Sequence, residues 1–336
     1  TKNPGYEYLK KRGLSDKIIK KFGLGYSLNS WNSLMNYLLA KGYDKTDLVK
    51  CGLVTHKTET NKYFDRFRNR VMFPIFNYNG KVIGFGGRVL DDSLPKYLNS
   101  PETLVFNKRL NLYGLNISKK SIKDDTLILV EGYMDLISLY QNNIENVVAT
   151  LGTALTIEQA RLIRKFAKNV IISYDSDQAG QNATLRAIDI LLQADIKVKI
   201  LNLKDCKDPD DFIKKYGFEG YKKAMEDSDY YIKYKIDILK KKYNLNNDSQ
   251  KMSFVEEATF MLKKLKSPIE KDLYAKYLSD LTNISIESIR ASVGIKVNSN
   301  YNKTNKRNTN VHKKIEQMSK IQDGYLKVEA KFIKLL

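Results

Sequence analysis

The sequence predicts an α/β chain centred on a parallel sheet, with an α+β subdomain before it and a helical bundle after it. Three observations carry that reading. Between Thr126 and Asp211, short apolar runs such as Leu127-Ile128-Leu129-Val130 alternate with helix-length amphipathic segments, the pattern of strands covered on both faces and joined by crossover helices. Ahead of this stretch two apolar runs flank Asn79-Gly80, the dipeptide best suited to a tight hairpin. Beyond Asp211 the strand-like runs stop and capped helical segments continue.

From Tyr6 to Phe22 apolar positions recur at helical spacing, interrupted at Gly13-Leu14-Ser15, where Ser15 is the expected N-cap. Trp31 to Leu39 behind Ser30, and Lys45 to Cys51, read as two further helices. The hairpin pairs Val71 to Phe76 with Val82 to Gly86, and both Asn79 and Gly80 are expected at positive φ. Arg66, Arg68 and Arg70 alternate just before it, so in an extended chain all three guanidinium groups leave one face. Only Asp65 lies among them, and three forked cations in a row suit phosphate oxygens better than scattered carboxylates. Arg88 and Lys96 follow.

The central stretch reads as strand (Leu127 to Val130), helix (Met134 to Gln141), strand (Val147 to Thr150) and helix (Thr156 to Phe166, with Thr156 and Gln159 as a capping box). Strand Val170 to Tyr174, helix Ala179 to Leu192 and strand Val198 to Leu201 complete it. Residues just past the ends of parallel strands collect along one edge. Glu131, the pair Asp175 and Asp177, and the Asp208-Pro209-Asp210-Asp211 loop are therefore expected to converge. A single Asp-x-Asp is ordinarily a solvated turn; three acidic clusters tied to successive strands are not. Gathered carboxylates disfavour one another's ionisation unless cations offset them, and a few hard oxygen ligands suit Mg2+ or Mn2+. Asp135, four residues after Glu131, shares its side if the helix begins at once. Asp211 is expected to cap a short helix, Phe212 to Tyr216.

Further on, Ser253 with Glu256 and Ser267-Pro268-Ile269-Glu270 read as capping boxes, and Ser285 as the cap of Ile286 to Ser292. Residues 297 to 310 carry Asn, Ser, Thr and Lys without an acid and read as linker. The expected partition is 1–120 (α+β with a basic ridge), 121–216 (parallel-sheet core), 217–295 (helical bundle), 296–314 (linker) and 315–336 (the start of a further helical region).

Fifty-eight basic against 38 acidic residues leave a net charge of +20, which favours a polyanionic partner. Two isolated cysteines and two isolated histidines form no zinc-ligand spacing, and a reducing cytoplasm is the expected setting. No apolar run approaches the ~20 residues of a membrane span. The start at Thr1 rather than methionine suggests a piece of a longer chain.

Glu131-Gly132-Tyr133-Met134-Asp135, Tyr174-Asp175-Ser176-Asp177-Gln178-Ala179-Gly180 and Asp208-Pro209-Asp210 resemble the three acidic motifs of the Toprim fold, shared by bacterial primases, topoisomerases, some nucleases and recombination proteins. Arg70 to Ile75, Ile83 to Arg88, Pro95 to Thr103 and Leu112-Tyr113-Gly114 are in turn similar to the primase-specific part of bacterial DnaG-type primases, a likeness running from about Tyr6 to about Ile289. The resemblance implies synthesis of short RNA primers on single-stranded DNA from nucleoside triphosphates. Glu131, Asp175 and Asp177 would be catalytic; the same three with Asp208 and Asp210 would hold the ions. Arg88 and Lys96 would bind the triphosphate, and Arg66, Arg68 and Arg70 the template or the RNA–DNA hybrid. It further implies that residues 315–336 begin a region that contacts the replicative helicase. Ser176 departs from the glycine usual between the two aspartates. A Toprim-type nuclease or topoisomerase-related enzyme is the alternative.

Overall fold

The computed structural model describes residues 3–295; the expected linker and the region 315–336 lie outside them. α1 (Pro4–Lys11) and α2 (Asp16–Lys21) form where the periodicity places them, capped by Asn3 and Ser15, and bury Leu9, Ile18 and, at the end of α2, Phe22. β1 (Gly25–Ser27) follows, then α3 (Ser33–Ala40) and α4 (Lys45–Lys50). α3 begins two residues later than Trp31. Its free N–H groups at Leu34 and Met35 are taken by the buried carboxylate of Asp65, at 2.7 and 2.9 Å, so the cap comes from a distant residue rather than from Ser30.

β2 (Val54–Lys57) and β3 (Lys62–Asp65) make a separate two-stranded sheet, while β4 (Arg70–Phe76), β5 (Val82–Val89) and β6 (Tyr97–Asn99) join β1 in an antiparallel sheet ordered β1-β4-β5-β6. The hairpin is present, but of its two expected residues only Gly80 takes positive φ, at 85°. Gly80 N bonds Asn77 O and Asn77 N bonds Lys81 O, so three residues turn the chain, with glycine in the left-handed position that a type I turn needs to rejoin the strand.

After α5 (Leu115–Ser118), the core runs β7 (Thr126–Val130), α6 (Tyr133–Gln141), β8 (Val147–Ala149), α7 (Ile157–Arg164), β9 (Asn169–Ile172), α8 (Gln178–Gln193) and β10 (Lys197–Ile200). β10, β9, β7 and β8 lie side by side and parallel, with Leu129 opposite Ile172 and Val130 opposite Ala149. Leu127 to Val130 are each 0% exposed, which is why this strand reads as an unbroken apolar run rather than an alternating one.

α9 (Pro209–Glu226) is capped by Asp208, whose Oδ1 accepts from Asp211 N at 2.8 Å; Pro209 occupies the first turn. Asp211 is thus the donor rather than the cap, because proline at the first helical position moves the helix start back by three residues. Gly217, at φ 67° and ψ −171°, kinks α9 where the sequence places the helix end. Past the kink, Tyr221 donates to Ser173 in the core, and β11 (Asp229–Tyr230) closes the sheet as an antiparallel edge beside β10.

The chain divides into two compact units, one up to Lys235 and one from Ile236, the boundary falling inside α10 (Tyr231–Lys240). In the second unit α11 (Asp248–Lys263), α12 (Pro268–Thr282) and α13 (Ile286–Val293) pack through Phe254, Leu262, Leu278 and Ile289, and Arg290 holds Asp272 with two bonds of 2.7 and 3.0 Å. Ser267 and Ser285 cap as expected. Ser253 does not: Asn247 starts α11, and Ser253 stands inside the helix bonding back to Ser249 O. No helix among the described residues is long and apolar enough to cross a membrane.

Candidate metal and nucleic-acid site

Each acidic cluster stands where a strand of the parallel sheet gives way to a helix. Glu131 follows β7 and precedes α6, Asp175 follows β9, and Asp177 and Asp208 are the N-caps of α8 and α9. The partial positive charge of three helix N-termini therefore lies beside the acids. Glu131 Oε1 accepts from Asp175 N at 3.3 Å, which ties the first two clusters together. Ser176 binds the third, its N–H and hydroxyl donating to Lys207 O and its hydroxyl also to Cys206 O. Carboxylate oxygens of Asp208, Asp210 and Asp211 lie within 4.8 Å of one another.

The electrostatics agree with a shared edge. Burial, then the charges of Asp175 and Asp177, push the Glu131 carboxyl up to about 7. Burial, then Asp208 and Asp177, push Asp175 up to about 6. Asp135 is raised well above the carboxylate range by burial and by Asp208, Asp175 and Asp210, although its Oδ2 accepts from Gly132 N at 3.2 Å. Asp135 thus belongs to the acidic edge as the partner of the α6 N-terminus. Carboxylates held at such cost with hard oxygen donors are what a divalent ion offsets, and Asp210 Oδ1 is buried with no hydrogen-bond partner, as an unused ligand atom would be. The residues present fit Mg2+ or Mn2+.

A stability consequence follows. A carboxyl whose pKa is higher folded than unfolded binds its proton more tightly in the native state, so stability falls as pH rises from the unfolded value near 4 to the folded values of about 6 and about 7. Metal-free protein should be more stable near pH 5 than near pH 8, by an amount on the order of 2 kcal/mol after allowance for half-exposed groups, and so melt higher at the lower pH. Mg2+ should restore the loss at the higher pH. Thermal melts in chelator check this, with Glu131→Gln as the comparison; an equal slope in the variant would remove Glu131 as its source.

The basic side differs from the expected ridge. Asn69 takes positive φ, 50°, and residues 66 to 69 leave the extended path, so the three arginines do not share a face. Arg70 is buried and its Nη1 donates to Gly87 O and Pro95 O; it fastens β4 to the loop before β6. Arg66 donates through Nε and Nη2 to Asn99 O. Asn99 in turn donates to Leu151 O and accepts from Tyr133, so Arg66 is bound to the joint between the two sheets. Arg68 lies 4.1 Å from the Trp31 ring centroid and 5.3 Å from that of Phe64, and Trp31 is 64% exposed. Arg88 stacks 4.5 Å from the Tyr8 ring centroid beside Tyr97, and Lys96 is exposed.

Two cations were not singled out from the sequence. Arg12, at the C-cap of α1, reaches Asp210 Oδ2 at 2.6 Å across 198 residues, and Lys214, one turn into α9, reaches the same oxygen at 2.7 Å. Lys214 could have been found by its i, i+4 spacing from Asp210. Nothing in the sequence around Arg12 marks it.

Parallel strands, crossover helices and an acidic carboxyl edge define the Toprim-like class, and residues 128–213 match the Toprim-like family model. Residues 1–119 match the N-terminal domain of the DNA primase catalytic core; residues 232–287 match the DnaB-helicase binding domain of primase, so that match falls on the helical bundle and not on residues 315–336, where the helicase-contacting region is expected. The chain is 44% identical over 98% of its length to a DNA primase of Clostridium acetobutylicum, of which it covers 54%. It superposes on a DNA primase domain from Pseudomonas aeruginosa with a TM-score of 0.73 at 35% identity, covering 87% of this chain and 92% of that one. It likewise matches a DnaG primase catalytic domain bound to single-stranded DNA, with a TM-score of 0.72 at 31% identity, covering 85% and 91%. The chain belongs to the DNA primase catalytic-core family. It spans about half the length of the curated relatives it matches.

Proposed function

We propose that this protein makes short RNA primers on single-stranded DNA during chromosome replication, by nucleotidyl transfer from nucleoside triphosphates. The observation that carries this is the meeting of Glu131, Asp175 and the Asp208 loop on one sheet edge, beside an arginine-bearing subdomain of primase type. Glu131, Asp175, Asp177, Asp208 and Asp210 would hold Mg2+ or Mn2+, which supplies stabilisation of charge on the attacking and leaving oxygens. Should it not ligate an ion, Glu131 would instead serve as a proton acceptor, because it stands alone at its strand end rather than in a pair. Arg88 and Lys96 bind the triphosphate; the tyrosines under Arg88 orient its guanidinium. Arg68 and Arg66 contact the phosphates of template or RNA–DNA hybrid, contacts that carry no base information. The helices spanning 232–287 offer a docking surface for the replicative helicase, and a protein in that role would work in the bacterial cytoplasm at the nucleoid.

Incubation with a single-stranded template, labelled nucleotides and Mg2+ or Mn2+ tests the reading. Short RNA products support it. Strand nicking without incorporation would transfer the site to a Toprim nuclease.

Arg68→Ala should weaken single-stranded DNA binding and flatten the dependence of log K on log salt by about 0.7, the share of one phosphate contact. Trp31 is the only tryptophan in the chain, so its fluorescence reports binding at this place directly. An unchanged salt slope would remove Arg68 from the interface.

A further inference from the structure

Asp210 is 2% exposed, yet two cations share its Oδ2 while its Oδ1 has no partner. The two cations are not equivalent. Lys214 belongs to the same helix as Asp210 and is exposed, so its pairing is local. Arg12 comes from α1, and its Nε is buried without an acceptor, so among the described residues one ion pair is the only bond of its guanidinium. The Arg12 side chain is 36% exposed, so its outer donors face solvent, but the buried Nε is left unsatisfied. Around it stand the stacked pair Tyr8 and Arg88, with Tyr97 beside them, the group assigned above to the triphosphate. A triphosphate is rich in acceptors and would satisfy Arg12 better than one carboxylate oxygen does.

We propose that Arg12 is a placeholder cation: it occupies Asp210 while nucleotide is absent, moves onto the incoming triphosphate, and so frees Asp210 for a divalent ion. The inference rests on the metal site and nucleotide trough described above, and deepens them by coupling the two. Arg12 acts through Asp210 and is a positioning residue for the ion. By reciprocity, whatever removes Arg12 from Asp210 should favour the ion, and whatever removes Asp210 from Arg12 should favour nucleotide.

A double-mutant cycle tests this without turnover. Mn2+ binding is measured by calorimetry in the absence of nucleotide for the unmodified protein, Arg12→Gln, Asp210→Asn and the double variant. Lys214 keeps Asp210 paired in Arg12→Gln, so folding should survive, and circular dichroism checks it. Arg12→Gln should tighten Mn2+ binding at least about fivefold, and the gain should vanish in the Asp210→Asn background. Arg12→Lys, which keeps the cation, should behave as the unmodified protein. The reciprocal arm uses ATP in chelator: Asp210→Asn should bind it several-fold tighter than the unmodified protein, and the double variant should not. The comparison of Asp210→Asn with the unmodified protein contains no change at Arg12, so that half of the arm stands whatever Arg12→Gln does to the fold. Equal Mn2+ affinity in the unmodified protein and Arg12→Gln, or a gain of the same size in the Asp210→Asn background, would leave Arg12 a tether between α1 and α9 only. Failure of the unmodified protein to bind Mn2+ at all would instead sink the metal site itself.

Discussion

Asp175→Asn is expected to reduce primer synthesis by about a thousandfold or more while leaving the fold in place. The loss follows from position: Asp175 stands between Glu131 and the Asp208 loop, touching the first through its own N–H and raised in pKa by the second. Removing one anionic ligand from a site that must stabilise charge on two oxygens costs several kcal/mol of barrier. The fold should survive for the same electrostatic reason. Asp175 ionises against burial and neighbouring carboxylates, so a neutral side chain of equal shape relieves repulsion in the metal-free protein. Melting in chelator near pH 8 should accordingly rise in the variant, while Mg2+ should stabilise it less than the unmodified protein. Retained primer synthesis would sink the site, and a collapsed fold would show that the carboxylate is structural.

That the acids would converge was legible before any coordinates, because strands buried on both faces announce themselves. Leu127 to Val130 carry no polar residue, and an acid directly after such a run has few places to go but the sheet edge. The same reasoning failed for the arginines. Alternation at 66, 68 and 70 implies a common face only if the backbone stays extended, and Asn69 at φ 50° turns it. Arg70 then points inward to backbone carbonyls, a role invisible to a pattern of charges. Caps were read well at Thr156, Ser267 and Ser285, misplaced at Asp211 and Ser253, where the helix begins earlier at Asp208 and Asn247, and missed where the partner was distant, as with Asp65 on α3. The bond from Arg12 to Asp210 lies beyond local pattern altogether, since 198 residues separate its ends.

Gly180→Ala should do damage out of proportion to one methyl group. Gly180 lies in the first turn of α8, where its N–H donates to Asp177 Oδ1 at 2.8 Å, and the carbonyl of Asp175 closes down over it. A Cβ at this position would stand 2.1 Å from Asp175 O and 3.1 Å from Asp175 Cα. Both are backbone atoms, so no side-chain rotation relieves the clash. Either the helix start or the Asp175 peptide must move. The cost is about 1–3 kcal/mol or somewhat more for an overpacked site, a fall in melting temperature of several degrees for a chain this size. Movement of Asp175 should also weaken Mn2+ binding beyond any loss of stability, because the carboxylate leaves the edge it shares with Glu131. Alanine is otherwise the better helix former, so a surface glycine in a first turn would gain from the exchange. A variant with unchanged melting temperature and Mn2+ affinity would therefore contradict the close approach of Asp175 to α8, and with it the way the Asp-Ser-Asp loop is held.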